Sequence, residues 1–366
     1  MRLLSNLSSV GALRVLITGG AGFVGANVAT ALAERHPDWE LIALDNIHRR
    51  GSELNLPRLE AAGVAFARGD VRSADALAAI EPIDALIECS GEPSALAGAA
   101  GETAYPVETN LLGAHRCLEL ARRDDAQLIF LSTSRVYPYR ALRALELDEG
   151  PTRFTLRDPQ PAQGASGAGI SERFGLVGPR TLYGATKLAA ELLIAEYAAS
   201  FGLATVIDRC GVIAGPWQMG RVDQGVFALW ALHHHFGRPL AYIGHGGSGK
   251  QVRDLLHVAD LVDLLERQLL DSEGWRGFVA NVGGGRERSL SLREATEICR
   301  ELTGNEVEIA AMPETRPGDV PLYVSDCSLL FEHTDWRPRR GPREVLADTV
   351  DWIDGNRAEL AAALEI

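Results

Sequence analysis

The segment Gly19-Gly20-Ala21-Gly22-Phe23-Val24-Gly25 is the tightest constraint on this 366-residue chain. It follows a short β-branched run over 14–18 and opens an amphipathic stretch that continues to residue 35. Glycines at the turn allow positive φ, and glycines just after it let a backbone or a phosphate approach where a Cβ would collide. A helix that starts at once after such a turn directs unpaired N–H groups and the positive end of its dipole at a ligand above it. Asp45 closes the next apolar run, 20 residues after Gly25, where a carboxylate accepts hydrogen bonds from adenosine ribose hydroxyls. A glycine-rich turn alone is an ordinary loop; turn, helix and acid at this spacing describe a dinucleotide site. Its expected members are Gly19, Gly22, Phe23, Val24, Gly25, Asp45 and Asn46, with Asp70 and Val71 beside the adenine. Asp70 fits the cap of a helix almost as well. The Asp45 carboxylate repels a 2′-phosphate, so NAD is expected in place of NADP, although Arg49 and Arg50 offset part of that repulsion.

Short β-branched runs alternate with longer amphipathic ones as far as residue 208. The pattern predicts strands over 14–18, 40–45, 65–69, 85–89, 127–132 and 204–208, and helices over 23–35, 74–80, 106–123 and 183–201. Parallel strands joined by right-handed crossover helices give an α/β fold with a doubly wound parallel sheet of Rossmann type. The expected nucleotide-binding domain covers 13–215, with a long insertion over about 141–180 whose stretch 164–169 is all Gly, Ala and Ser. Loops of that length are usually functional or disordered. Beyond Gly215 the alternation stops, and helical patterns over 258–270 and 292–302 stand among Pro-, Gly- and Trp-rich loops. Residues 216–366 are therefore expected to be mainly a smaller, C-terminal substrate domain, interleaved with the last strands of the sheet.

No apolar run approaches the roughly 20 residues of a membrane helix, and residues 1–13 read as an arm leading into the first strand. The five cysteines are scattered and form no CxxC pair, which argues against disulfides and zinc and for a reducing cytoplasm. A formal charge of −13 disfavours nucleic acid and anionic membranes as partners. Any anionic ligand then needs a local cluster of arginines and backbone N–H groups. His233, His234 and His235 are adjacent, so they point to different faces and read as solvated surface, with no metal site expected.

Tyr183 and Lys187 stand one helical turn apart, on one face of a helix. By spacing alone such a pair is common. Its weight comes from following a dinucleotide fold and the strand end Leu131-Ser132-Thr133-Ser134-Arg135-Val136-Tyr137. From there the Thr133 hydroxyl and the Tyr183 phenol can hold one substrate oxygen, while the Lys187 charge lowers the phenol pKa.

The glycine turn, the strand end and Tyr183/Lys187 together resemble the extended short-chain dehydrogenase/reductases, specifically the NAD-dependent nucleotide-sugar epimerases and dehydratases. Four stretches, 132–137, 151–155, 223–225 and 249–257, are most similar to the CDP-paratose 2-epimerase (CDP-tyvelose epimerase) branch. The resemblance implies Thr133, Tyr183 and Lys187 as catalytic residues, with Tyr183 and Lys187 also touching the cofactor. It implies a nucleotide-diphosphate sugar as substrate, epimerised by transient oxidation to a keto sugar and hydride return, and a homodimer. The related dehydratases carry an Asp and a Glu after the Thr; Ser134 and Arg135 stand there instead, so water elimination lacks its acid and base. Ser134, Arg135 and Glu92 are expected against the substrate, and Arg253, Arg316 and Asp319 at its diphosphate and ribose. Glu88-Cys89-Ser90-Gly91-Glu92-Pro93 replaces a His-Leu-Ala-Ala-type stretch, placing two carboxylates along the expected path of the cofactor. Asn110 is expected beneath the catalytic strand end, positioning Tyr183.

Overall fold

A computed structural model describes residues 11–94, 96–98, 101–220 and 224–364. Most of the expected N-terminal arm, together with Asp223, lies outside the described residues. Seven strands form the central sheet: β1 (Arg14–Thr18), β2 (Glu40–Asp45), β3 (Ala65–Arg68), β4 (Ala85–Glu88), β5 (Gln127–Thr133), β6 (Thr205–Cys210) and β7 (Phe278–Val282). They pair in the order β7-β6-β5-β4-β1-β2-β3, every neighbour parallel. This is the doubly wound arrangement, in which crossover helices must cover both faces. The strands show it in their alternation: Val15, Ile17, Ala43, Ile87 and Ile129 face one apolar cluster, and Leu16, Leu44, Leu86, Leu128 and Phe130 face the other. On the first face lie α1 (Phe23–Arg35) and the helix Val258–Leu270; on the second lie α2 (Gly113–Asp124) and α3 (Leu182–Phe201).

The six expected strands are present to within two residues at each end. The seventh, Phe-Val-Ala-Asn-Val at 278–282, joins the sheet from far downstream. The helix expected over 106–123 is broken: Ala104–Val107 passes through a turn widened to π geometry at Glu108–Leu112 before α2 begins. The insertion is more regular than its composition implies. It holds the helix Tyr139–Arg143 and two short hairpins, Leu147–Glu149 with Phe154–Leu156 and Ala165–Ser166 with Gly169–Ile170. Ile170 is fully buried, and its N–H donates to Val324 O at 2.8 Å, which pins the Gly/Ala/Ser stretch to the downstream chain. A smaller sheet of Val212–Ala214, Val252–His257, Ser289–Ser291 and Leu322–Tyr323 stands beside the end of β6.

Candidate active site

The carboxyl ends of the central strands open into one cleft of about 770 Å3, which passes the reversal of strand order between β1 and β4. Open α/β sheets bind ligands at that place, because loops from adjacent strands diverge to opposite faces there. Every expected site residue lines this cleft: Gly19 and the turn from Gly22 to Gly25, Asp45 and Asn46, Asp70 and Val71, Glu92, the strand end from Thr133 to Arg135, Tyr183 and Lys187, and Arg253, Arg316 and Asp319.

At the cofactor end, Gly19 has φ +64°, and a Cβ there would lie 2.8 Å from Cys89 O. A Cβ on Gly25 would lie 2.2 Å from Gly19 O. No side chain caps α1 at Gly22, so the first N–H groups of the helix are left for a ligand. The Asp45 carboxylate accepts the Ala21 N–H at 3.1 Å and the Ile47 N–H at 2.8 Å and faces the cleft. Burial raises its pKa against those bonds. Asn46 Nδ2 donates to Asp70 Oδ2 at 2.9 Å. Asp70 is held mainly by the Arg72 guanidinium, which brings its carboxyl down to about 2. The alternative role for Asp70 as a helix cap falls to Ser73, whose Oγ accepts the Ala76 N–H. These features fit a pyrophosphate-linked dinucleotide: a close backbone approach, an open helix N-terminus and a ribose-facing acid.

At the centre, Thr133 ends β5, its hydroxyl accepts the Arg135 N–H at 3.2 Å, and it lines the cleft together with the Tyr183 phenol. Thr181 caps α3 through the Gly184 N–H, which fixes the first turn bearing Tyr183. Gly184 lets that turn lie against the strand end: a Cβ there would be 2.1 Å from Arg135 O. Asn110, in the widened turn, accepts the Glu92 N–H at 2.7 Å and donates to Thr186 Oγ1 at 3.2 Å; Thr186 in turn donates to Tyr183 O. Asn110 thus ties the loop after β4 to the helix of the tyrosine. The expected lowering of the Tyr183 pKa is not the net result. Burial pushes the phenol up, and Lys187, Thr133 and Arg135 oppose it without prevailing. The physical reason is burial, which strips the phenolate of more hydration than these groups return; Lys187 Nζ itself stands 3.2 Å from the Glu88 carboxylate.

At the far end, Arg253 donates to Asp319 Oδ1 at 2.8 Å and to Val320 O at 2.9 Å, and burial lowers it to about 10 despite the carboxylate. Burial alone would raise Asp319; His245, Arg253 and Arg135 outweigh it and hold the carboxyl well below the usual range. Arg135 donates to Gly318 O, joining the strand end to the loop that carries Arg316 and Asp319. Arg143 donates to the carbonyls of Arg316 and Asp319.

Other parts of the site left little trace in sequence. Ser132 Oγ donates to Glu191 at 2.5 Å, Glu191 pairs with Arg209 at 2.8 Å, and Tyr137 OH donates to Asn281 Oδ1, a buried brace beneath the strand end. Its members lie 59 and 144 residues apart, and a polar residue inside an apolar run is the sole signal. The histidine run corrects another expectation. His234 is 1% exposed with Nδ1 2.8 Å from Trp230 O, and His233 lines the cleft, because the helix Val226–Phe236 is buried on most sides. Among the described residues no group of His, Cys, Asp and Glu could hold a metal, and no helix is long and apolar enough to cross a membrane.

The chain is 28% identical over 351 residues to the CDP-paratose 2-epimerase of Salmonella typhi, covering 93% of this chain and 99% of that one. It is 27% identical over 348 residues to the dTDP-glucose 4,6-dehydratase of Mycobacterium tuberculosis H37Rv, covering 94% and 95%. The solved structure of the Thermus thermophilus UDP-glucose 4-epimerase in complex with NAD superposes with a TM-score of 0.74 at 27% identity, over 94% of this chain and 99% of that one. The model of the NAD dependent epimerase/dehydratase family matches residues 15–283, from β1 through β7. With that match, this sheet and this dinucleotide turn, the chain belongs to the NAD-dependent epimerase/dehydratase family.

Proposed function

We propose that this chain is a nucleotide-sugar epimerase that inverts C2 of a CDP-hexose through a transient keto sugar. The observation that carries the reading is the meeting of Thr133, Tyr183 and Lys187 on the wall of one cleft that Arg253, Arg316 and Asp319 also line. NAD, when bound, would supply the hydride acceptor and donor for this chemistry. Tyr183 Oη takes the proton from the sugar hydroxyl and later returns it, while Thr133 Oγ1 orients the same oxygen. Lys187 favours the ionised phenol. Arg253 and Arg316 suit a diphosphate, in an acidic chain that attracts no anion at long range. Asp319 accepts a ribose hydroxyl, and Glu92 and Ser134 lie along the sugar. At 134 and 135 a hydroxyl and a guanidinium provide no carboxyl pair for dehydration. Exposed Leu112, Leu192 and Phe201, on the widened turn and α3, suit pairing of these helices across a homodimer axis.

The test is incubation of the protein with CDP- and UDP-hexoses. The expected product is an isomer formed with no accumulation of NADH, and Tyr183→Phe should lower turnover by about two to four orders of magnitude while NAD stays bound. Steady NADH formation, or a 4-keto-6-deoxy product, would reject epimerisation.

A further inference from the structure

The lysine of the central pair is buried against a carboxylate. Glu88 ends β4, beside the strand that carries Thr133. Its Oε2 stands 3.2 Å from Lys187 Nζ, and the two side chains keep 1% and 4% of their accessible surface. Oε1 accepts the Ser90 hydroxyl, and the Thr18 hydroxyl lies 3.4 Å from Ser90 Oγ, so both carboxylate oxygens are engaged. The ammonium also lies 3.8 Å from the centre of the Phe130 ring. Glu88 is not part of the cleft wall, although Cys89, Ser90 and Lys187 are. It therefore reaches a ligand only through Lys187 and Ser90.

We propose that Glu88 is a positioning residue for the Tyr183–Lys187 pair, its carboxylate anchoring the Lys187 ammonium and offsetting part of the charge which that ammonium presents to the Tyr183 phenol; this builds on Tyr183 and Lys187 acting as the acid–base pair. The surrounding groups leave this role to Glu88. Arg135 faces the phenol from the end of β5. Cys89 after β4, Cys117 on α2 and Cys210 on β6 surround the pair, and burial pushes all three thiols up, which keeps them neutral. Glu191, one turn along α3, is taken up by Arg209, and the Glu92 carboxylate accepts the Ser94 N–H. Taking one partner from a buried ion pair leaves the other an uncompensated charge, so the two hold each other in place. With Glu88 in place, the pull of the ammonium on the phenol is shared.

Removing the Glu88 charge leaves the ammonium's pull on the phenol unshared, which lowers the pKa of the phenol. The titration of Tyr183 is read as the phenolate absorbance of the NAD-bound protein minus that of Tyr183→Phe. In Glu88→Gln, which keeps shape and an acceptor oxygen, this titration should move to lower pH by on the order of one unit, and the pH profile of turnover should move the same way. Glu88→Asp keeps the charge and should titrate close to wild type, while turning over more slowly because the ammonium is displaced. A Glu88→Gln titration that overlies wild type, or a Glu88→Asp titration displaced as far as that of Glu88→Gln, overturns the proposal. Should Glu88→Gln not fold alone, thermal melting of Lys187→Met and of Glu88→Gln/Lys187→Met decides: the anchor predicts that the double variant melts higher, and an equal or lower melting point overturns it. The phenol titration needs no sugar, so absence of turnover would count against the epimerase reading and leave this one standing.

Discussion

Asp208, on β6, has no accessible surface, and its Oδ1 accepts a hydrogen bond from Gln268 Nε2 at 3.0 Å. Burial pushes its carboxyl from the ordinary 3.8 up to about 7. Between these values the folded chain binds a proton that the unfolded chain has released, so stability falls as pH rises through the window. The cost of burying the charge is absent below the unfolded value and complete above about 7. Asp208→Asn removes the titration and should stabilise the protein by about 1–4 kcal/mol at pH ~8 and by little at pH ~4. Denaturant unfolding at the two pH values checks this, and equal differences at both would sink it. At this scale the sequence was readable where chemistry is tied to spacing. Tyr183 and Lys187 are one turn apart, and Asp45 is a fixed distance from its glycines. It was unreadable where partners meet through the sheet: Lys187 and Glu88 are 99 residues apart, and nothing in either neighbourhood names the other.

Elements were legible in proportion to their periodicity. Strands buried on both faces read as apolar runs, and α1 and α3 carried their own start signals, the glycine turn and Thr181. The widened turn at Glu108–Leu112 has no compositional mark, and the hairpins over 147–170 are too short for a period to register. The contact between α3 and the strand end decides a prediction at this scale. Helix propensity alone would make Gly184→Ala stabilising by roughly 1 kcal/mol. The added Cβ would stand 2.1 Å from Arg135 O, a backbone atom that cannot swing aside. Overpacking of this kind costs about 1–3 kcal/mol and should prevail, and the variant should also lose turnover as Tyr183 is pushed from Thr133. Melting and steady-state kinetics measure the two effects. A variant more stable than wild type would show that the helix does not press on the strand end.

Across the whole molecule, the last strand of the nucleotide-binding sheet is drawn from a distant part of the chain. Val206 pairs with Phe278 and Cys210 with Val282, so paired positions of β6 and β7 lie 72 residues apart in sequence. A nascent chain emerging N-terminus first exposes the outer edge of β6 until the entire intervening segment has been made. Loop closure over such a span slows folding, and a bare strand edge is a template for intermolecular pairing. A fragment ending at residue 216, though it contains every glycine of the dinucleotide turn, should aggregate and fail to retain NAD, while the full chain stays dispersed; light scattering and cofactor retention compare them. A dispersed, NAD-binding fragment would mean that the edge closes on itself. On the ribosome, the sheet would remain vulnerable to its own copies for several seconds, at about 5–20 residues added per second, so crowded synthesis of this chain calls for a chaperone to shield one particular edge.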